Sequence, residues 1–337
     1  MRILHVSGTS TLSGANRYAF DLAAGQKDLG HEPIVAMAAS PGTAFDFARD
    51  DVAHIRLGPS RALSFFAAAH KAKADIIHCH CGSAARWIRF MPMRPPAVMT
   101  LHIRFKKTMD RFEGVHMLAD WQAPALSSFK GKIVKINNWT PTIAEADAAA
   151  IAEARALASA SADDFLVVAV GRVESFVKGL DLLIDAVRSL PDPRLKVAIV
   201  GVGKDEAELR QRAAGDERIR FIGYSNTPAA WYGAADLVAM PSRREPFALV
   251  ALEAMACRVP IVAAEVDGFG EMFENRRDCL VKPFDAAALA DAIKLRAERK
   301  TAPGIVRDSY DMTRFDRRAG VAAVTRFYDE VISARQR

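Results

Sequence analysis

Two stretches of this chain alternate short apolar runs with segments whose apolar positions recur at helical spacing. The first begins with RILHVS at 2–7, followed by ANRYAFDLAAGQKDLG, a helical pattern that stops at Gly30. PIVAMA, VAHIRL, DIIHCH, PAVMTL and KIVKI then read as strands, with helical patterns between several of them. Strands alternating with helices predict a parallel sheet. A polar, Pro- and Ala-rich segment, NNWTPTIAEADAAAIAEARALASASADD, breaks the rhythm and predicts a linker at about residues 139–163. The second stretch opens on FLVVAVG, a near-continuous apolar run ending in Gly171, as expected of a strand buried on both faces. GLDLLIDAVRSL, LKVAIVGVG, DEAELRQRAAG, IRFIG, PAAWYGAA, DLVAMPS, FALVALEAMACR, PIVAA and AAALADAIKLRAER continue the alternation. From Met312 to the end the pattern is that of one long amphipathic helix. The expected architecture is two similar α/β layers with a ligand cleft between them.

A length of 337 residues exceeds what one hydrophobic core comfortably serves, which agrees with two domains. The composition, 50% apolar and 26% charged, is that of a globular chain. No apolar run reaches the roughly 18 residues of a membrane span. MRILHVSGTS has no A-x-A cleavage signal and reads as a first strand, not a signal peptide. The four cysteines show no framework spacing, which predicts reduced thiols and a cytoplasmic location. Residues 1–140 carry 18 Lys and Arg against 10 Asp and Glu, a net +8, whereas the remainder nets −2. The excess lies between Arg86 and Lys135, interleaved with Trp87, Phe90 and Phe105. It predicts an acidic partner, either an anionic membrane surface or a phosphorylated substrate. No nucleic-acid-binding motif accompanies it, and nucleic acid is not expected.

HCHC at 78–81 suggests metal, but alternation along a strand puts His78 and His80 on one face and the two cysteines on the other. Those four residues form no ligand set, and no metal site is expected; His80 remains a candidate to touch an acceptor. RREPFALVALEA places Glu245 and Glu253 eight positions apart. On one helix that spacing is roughly 12 Å of rise and about 80° of rotation. Glycosidase carboxyls lie within roughly 5 to 9.5 Å, so a hydrolytic pair is disfavoured. Pro246 predicts a helix start, with Glu245 in the loop before it and Glu253 about two turns in. The two carboxylates then hold opposite ends of one extended ligand, with a phosphate at the helix N-terminus between them.

VGRVESFVKGLDLLIDAV, IVGVG, FIGY and E-P-F-x(5)-E-A together resemble the retaining nucleotide-sugar glycosyltransferases of the GT-B fold, family 4 or "group 1", among them lipopolysaccharide-core and mannosyl transferases. The resemblance covers nearly the whole chain. It implies two Rossmann-like domains facing a cleft, residues 1–145 for the acceptor and 160–312 for the donor, with 313–337 as a helix crossing back to the first. It implies that Arg172 and Lys178, after Gly171, grip the donor diphosphate. Glu245 approaches the transferred sugar, Glu253 binds the ribose, and Gly223 and Tyr224 contact the base. Backbone N–H groups of Phe247, Ala248, Leu249 and Val250 hold the distal phosphate. Gly14 would face the donor phosphate from the first domain, and His102 would lie near the anomeric centre. The implied reaction moves a hexose from a UDP- or GDP-sugar, with retention, to a glycan or lipid-linked acceptor in cell-surface polysaccharide or lipopolysaccharide synthesis, peripherally at the inner membrane face. No cofactor is implied.

Where family members carry a double glycine, this chain has Ser13-Gly14. Where they read E-G-F-G, it has Glu245-Pro246-Phe247-Ala248, and the G-G-x-x-E loop becomes Asp267-Gly268-Phe269-Gly270-Glu271. No two aspartates stand at i, i+2, so the usual D-x-D metal site is missing and cations must meet the leaving diphosphate. An epimerase or hydrolase of the same fold, or a non-catalytic sugar-nucleotide module, remains open. A dinucleotide oxidoreductase is disfavoured, because neither SGTSTLSG nor VGVGKDE completes G-x-G-x-x-G.

Overall fold

The computed structural model describes residues 1–7, 13–38, 49–91, 93–102, 106, 109–143, 145–300 and 306–336. The chain divides into two compact units, residues 1–139 with 315–337, and residues 140–314.

Unit 1 contains β1 (Arg2–Ser7), α1 (Gly14–Asp28), β2 (Glu32–Met37), β3 (Ala53–Arg56), α2 (Arg61–Ala72), β4 (Ile76–Cys79), α3 (Gly82–Ile88), β5 (Ala97–Thr100), β6 (Gly114–Met117) and β7 (Lys132–Lys135). Its seven strands are all parallel, in the order β3-β2-β1-β4-β5-β6-β7. The central strands are buried on both faces, which explains their unbroken apolar runs. Leu4, Ile77, Met99 and Val115 stack into one core with Phe65 and Ala68 of α2. β6 escaped the sequence pattern. It is a four-residue strand begun by Gly114, and only pairing on both sides makes it one.

Unit 2 contains α4 (Ala148–Leu157), β8 (Phe165–Val170), α5 (Ser175–Lys178), α6 (Leu180–Arg188), β9 (Leu195–Val200), α7 (Glu206–Arg212), β10 (Ile219–Gly223), α8 (Pro228–Ala234), β11 (Leu237–Met240), α9 (Leu249–Ala256), β12 (Ile261–Ala264), α10 (Phe269–Met272), the two-residue β13 (Leu280–Val281) and α11 (Ala286–Glu298). The parallel order β10-β9-β8-β11-β12-β13 repeats the winding of unit 1. Residues 140–163, read from sequence as linker, belong to this unit. Asp147 caps α4 by accepting the Ala150 N–H at 2.8 Å, and Ile151 packs where a Cβ on Gly233 of α8 would stand, at 2.7 Å.

The chain ends in α12 (Arg317–Gln336), which lies in unit 1 against α1. The sequence pattern began this helix at Met312, but a 3-10 turn at Thr313–Phe315 precedes it. A Cβ on Gly25 of α1 would come within 2.7 Å of Val321, and one on Gly114 within 2.5 Å of Phe327. Both glycines therefore let this helix approach, and Trp139 Nε1 and Arg317 both donate to the Asp21 carboxylate.

Candidate active site

In unit 2 the strand order reverses between β8 and β11. Loops leaving neighbouring strands at such a point diverge and open a crevice at their C-terminal ends. Gly171 follows β8 with φ +144°, and Gly201 follows β9 with φ +141°. A Cβ on Gly201 would fall 1.9 Å from the Gly171 carbonyl oxygen, an approach only glycine permits. The Gly201 N–H donates to the Gly223 carbonyl at 2.7 Å, so three strand ends meet. Tyr224, next along, is exposed.

Lys178, at the end of α5, donates from Nζ to Glu245 Oε2 at 2.5 Å and so ties the loop after β8 to the loop after β11. The pair is largely withdrawn from water, with side chains 21% and 11% exposed. Arg172, next after Gly171, is turned to a different partner, its Nη1 donating to Glu174 Oε1 at 2.9 Å with the guanidinium half-exposed. Exposed pairs of this kind contribute on the order of 0 to 1 kcal/mol, so its guanidinium is easily redirected to a ligand.

Sequence reasoning missed the supports. Arg243 forks both Asp181 oxygens at 2.7 Å and donates to the Ser175 carbonyl, fixing the Glu245 loop over α5. Asp267 accepts from Arg244 Nε at 2.8 Å and from the Glu245 N–H at 3.0 Å. A Cβ on Gly268 would lie 2.1 Å from the Pro246 carbonyl oxygen. That turn holds residues 245–248 in a non-helical path, which corrects the helix start expected at Pro246. The helix begins at Leu249, with Ala248 as its N-cap and no side chain capping it. Phe247 and Ala248 are buried, Leu249 and Val250 partly so. Glu253 is 1% exposed and accepts from the Tyr232 hydroxyl at 2.6 Å.

Unit 1 brings a different set together at the ends of β1, β4, β5 and β6. His5, His78, His80 and His116 are buried, and His102 is partly exposed. The His78 and His80 rings are 4.2 Å apart on one face, as strand alternation requires, and β1 adds His5 to them. His5, His78 and His80 each offer a nitrogen within 4.8 Å of the others, a grouping that could hold a metal ion and that HCHC alone did not reveal. Each nitrogen is also hydrogen-bonded within the protein. Burial is the first cause of neutrality here. It lowers His5 to about 4 against the Gln26 hydrogen bond, His116 to about 4, and His102 to about 3 with help from His116. His78 is pushed well below the usual range by burial and then by His5, and His80 by burial and then by His78. Gly14, the first residue of α1, follows the cap Ser13 and is exposed; residues 8–12 lie outside the described residues.

Residues 164–297 match the model "Glycosyl transferases group 1", and residues 12–145 match "Glycosyltransferase Family 4". The chain belongs to glycosyltransferase family 4. The phosphatidyl-myo-inositol mannosyltransferase of Mycolicibacterium smegmatis is similar to this family 4 chain, 28% identical across 95% of it and 91% of the relative. The D-inositol 3-phosphate glycosyltransferase of Jonesia denitrificans is 37% identical over 39% of this chain and 34% of its own length. The match thus spans about a third of that relative, and about a third of the similarly named enzyme of Pseudarthrobacter chlorophenolicus. Among solved structures, Anabaena HepE with UDP and glucose superposes with a TM-score of 0.76 at 22% identity, over 100% of this chain and 97% of that one. WaaG, described as a glycosyltransferase of lipopolysaccharide biosynthesis, gives 0.71 at 15% identity, over 96% of this chain and 99% of its own. These likenesses establish the GT-B fold for this family 4 member.

Of the residues the sequence singled out in this family 4 chain, Gly171, Lys178 and Glu245 meet directly. Arg172, Gly223 and Tyr224 border the same strand ends, and Glu253, in α9, is buried against Tyr232. His102 belongs to the histidine cluster of unit 1. Arg243, Asp181 and Asp267 lie inside quoted strings but drew no role there, because an Arg or Asp in such a string reads equally well as a surface charge.

Proposed function

We propose that this chain transfers a hexose from a nucleoside-diphosphate sugar, UDP- or GDP-linked, to a glycan or lipid-linked acceptor, with retention at the anomeric carbon. The carrying observation is the Lys178–Glu245 pair at the β8/β11 reversal, within the segment that matches the group 1 model. Cleaving the sugar–phosphate bond leaves negative charge on the diphosphate, and cations fixed there stabilise the transition state more than the ground state. Lys178 supplies a point charge on a supported loop; Arg172 supplies a fork that swings in from Glu174. Glu245 is then free to accept hydrogen bonds from sugar hydroxyls, and the N–H groups opening α9 face the distal phosphate. Glu253 takes the ribose hydroxyls, Gly223 and Tyr224 the base, and Gly14 and His102 act from unit 1. With cations in these roles and no D-x-D in the chain, the reaction proceeds without a metal. UDP in Anabaena HepE favours a uridine donor, and the mannosyltransferase LpsB of Rhizobium meliloti, 33% identical over 44% of this chain, favours a cell-surface glycan acceptor.

Thermal unfolding with UDP, GDP, ADP, TDP and NAD, each with and without EDTA, tests this reading. A nucleotide at about 100 times its dissociation constant adds about 2.7 kcal/mol, a shift of a few degrees for a chain of this size. One nucleoside diphosphate should shift the midpoint, equally with EDTA. A shift with NAD alone, or with none, removes the donor site; a shift that EDTA abolishes removes metal independence.

A further inference from the structure

We propose that unit 2 carries a second anion site, for one small tetrahedral oxyanion of the phosphate type, in a cavity at the N-terminal ends of β8, β11 and β12, with Arg299 and Arg307 as its donors. The cavity measures about 160 Å³. Phe165, the first residue of β8, lines it together with Asp236, just before β11, and Pro260, just before β12. Lys178 and Glu245 follow the opposite ends of β8 and β11, so a six-residue strand, roughly 20 Å, separates the two places. The second site therefore depends on nothing in the donor reading.

The charged lining is Arg296, Arg299, Lys300 and Arg307 against Asp236 and Asp308, four cations to two carboxylates. Both carboxylates are already answered. Asp236, 4% exposed, accepts from Lys300 Nζ at 3.0 Å and from Arg155 Nη1 at 3.3 Å. Asp308 accepts from Arg276 Nη2 at 2.6 Å. Lys300 is fully engaged, since its ammonium also donates to the Asp164 and Ala162 carbonyls at 2.8 and 3.3 Å. Arg296 donates to the carbonyl and the carboxylate of Asp278. Arg299 and Arg307 are left over. Among the described residues neither forms an ion pair, and the Arg299 guanidinium makes no hydrogen bond. Arg307 donates to the Gly233 and Ala235 carbonyls at 2.5 and 3.1 Å, where α8 ends. A helix end offers only roughly half a charge, and these two bonds leave further N–H donors on the guanidinium. Arg307 is half-buried, and burial pulls its pKa below the usual arginine value. A cation so placed is costly unless an anion answers it, and a guanidinium fork matches the oxygens of phosphate. Arg299, exposed at the C-cap of α11, gives the ion a way in from solvent. Pockets for larger ligands measure roughly 300 Å³ or more, so a nucleotide is excluded and a single oxyanion fits. The competing reading is a closed structural cluster in which Arg307 only caps α8.

The test is isothermal titration of the whole chain with inorganic phosphate, at an ionic strength held constant with chloride. The parent is compared with Lys178→Ala, which removes the cation through which phosphate would enter the donor crevice. Lys178→Ala should still take up one phosphate per chain in the millimolar range. Adding Arg299→Glu or Arg307→Gln to it should weaken that binding by about tenfold or more, as expected when one charge-assisted contact is lost. Arg299 is exposed, so its replacement leaves the fold intact; unfolding midpoints without phosphate check Arg307→Gln, and if that variant does not fold, Arg299→Glu decides alone. No binding by the parent, binding lost in Lys178→Ala, or binding that Arg299→Glu leaves unweakened would each overturn the proposal. No nucleotide enters this experiment, so a failed donor site and a failed phosphate site give separate results.

Discussion

Lys178 and Glu245 neutralise one another at 2.5 Å in a site mostly closed to water, so each residue fixes the other until a ligand competes. Under the proposed function, Lys178→Ala removes the charge that answers the leaving diphosphate, and Glu245→Ala frees Lys178 while removing the acceptor for sugar hydroxyls. Loss of a single preorganised group that acts at developing charge costs roughly 10²- to 10³-fold in turnover. Both variants should lose turnover on that order and keep their unfolding midpoints within a few degrees of the parent. Near-normal rates in either would take that residue out of the site. These two residues stand in strings that the sequence singled out, VGRVESFVKG and REPF, and the structure brings them together. Arg243 and Asp267 drew no role there, because nothing in their neighbours distinguishes a supporting ion pair from a surface one.

Strands β1, β4, β5 and β6 show what one-dimensional patterns leave out. β1, β4 and β5 were legible as apolar runs, but each contributes polar groups to a shared interior that the run does not predict: His5, His78 and Thr100. β6 was not legible, and it brings His116. Parallel pairing sets His5 beside His78 and Thr100 beside His116, and the side chains on one face then touch. The consequence is a pH-dependent stability belonging to these elements together. Their histidines have folded pKa values below the unfolded value of about 6.5. The unfolded chain therefore binds more protons below that pH, and stability falls as pH drops from 6.5 towards the folded values, about 4 for His5 and His116 and about 3 for His102. Each histidine contributes a slope of up to about 1.4 kcal/mol per pH unit within that window and none above it. Urea midpoints at pH 7.5, 6 and 5 should hold steady and then decline. A midpoint unchanged down to pH 5 would show that water reaches these rings.

At the scale of the whole chain the charge is unevenly shared, net +8 over residues 1–140 and −2 over the rest. Unit 1 also exposes Phe90 and Met93, 69% and 99% accessible, beside Arg89 and Arg94. No helix among the described residues is long and apolar enough to cross a membrane; the membrane reading of the sequence, still a proposal, rests on this charge and these exposed apolar side chains. Vesicles containing anionic lipid should sediment the protein at low salt and release it as salt rises; failure to bind at low salt removes the membrane reading. The sequence by itself determined the class, two parallel α/β units, because a strand covered on both faces must be apolar along its length and a helix must be apolar on one side. It also placed cations, carboxylates and glycine in the short order on which the proposed donor site rests, because phosphate and sugar chemistry calls for those groups. Only the tertiary structure decided where the boundary between units falls, that the α9 helix waits until Leu249, and that histidines as far apart as His5 and His116 share one interior. Those outcomes depend on which strands become neighbours, and pairing between distant segments leaves no periodic mark in either of them.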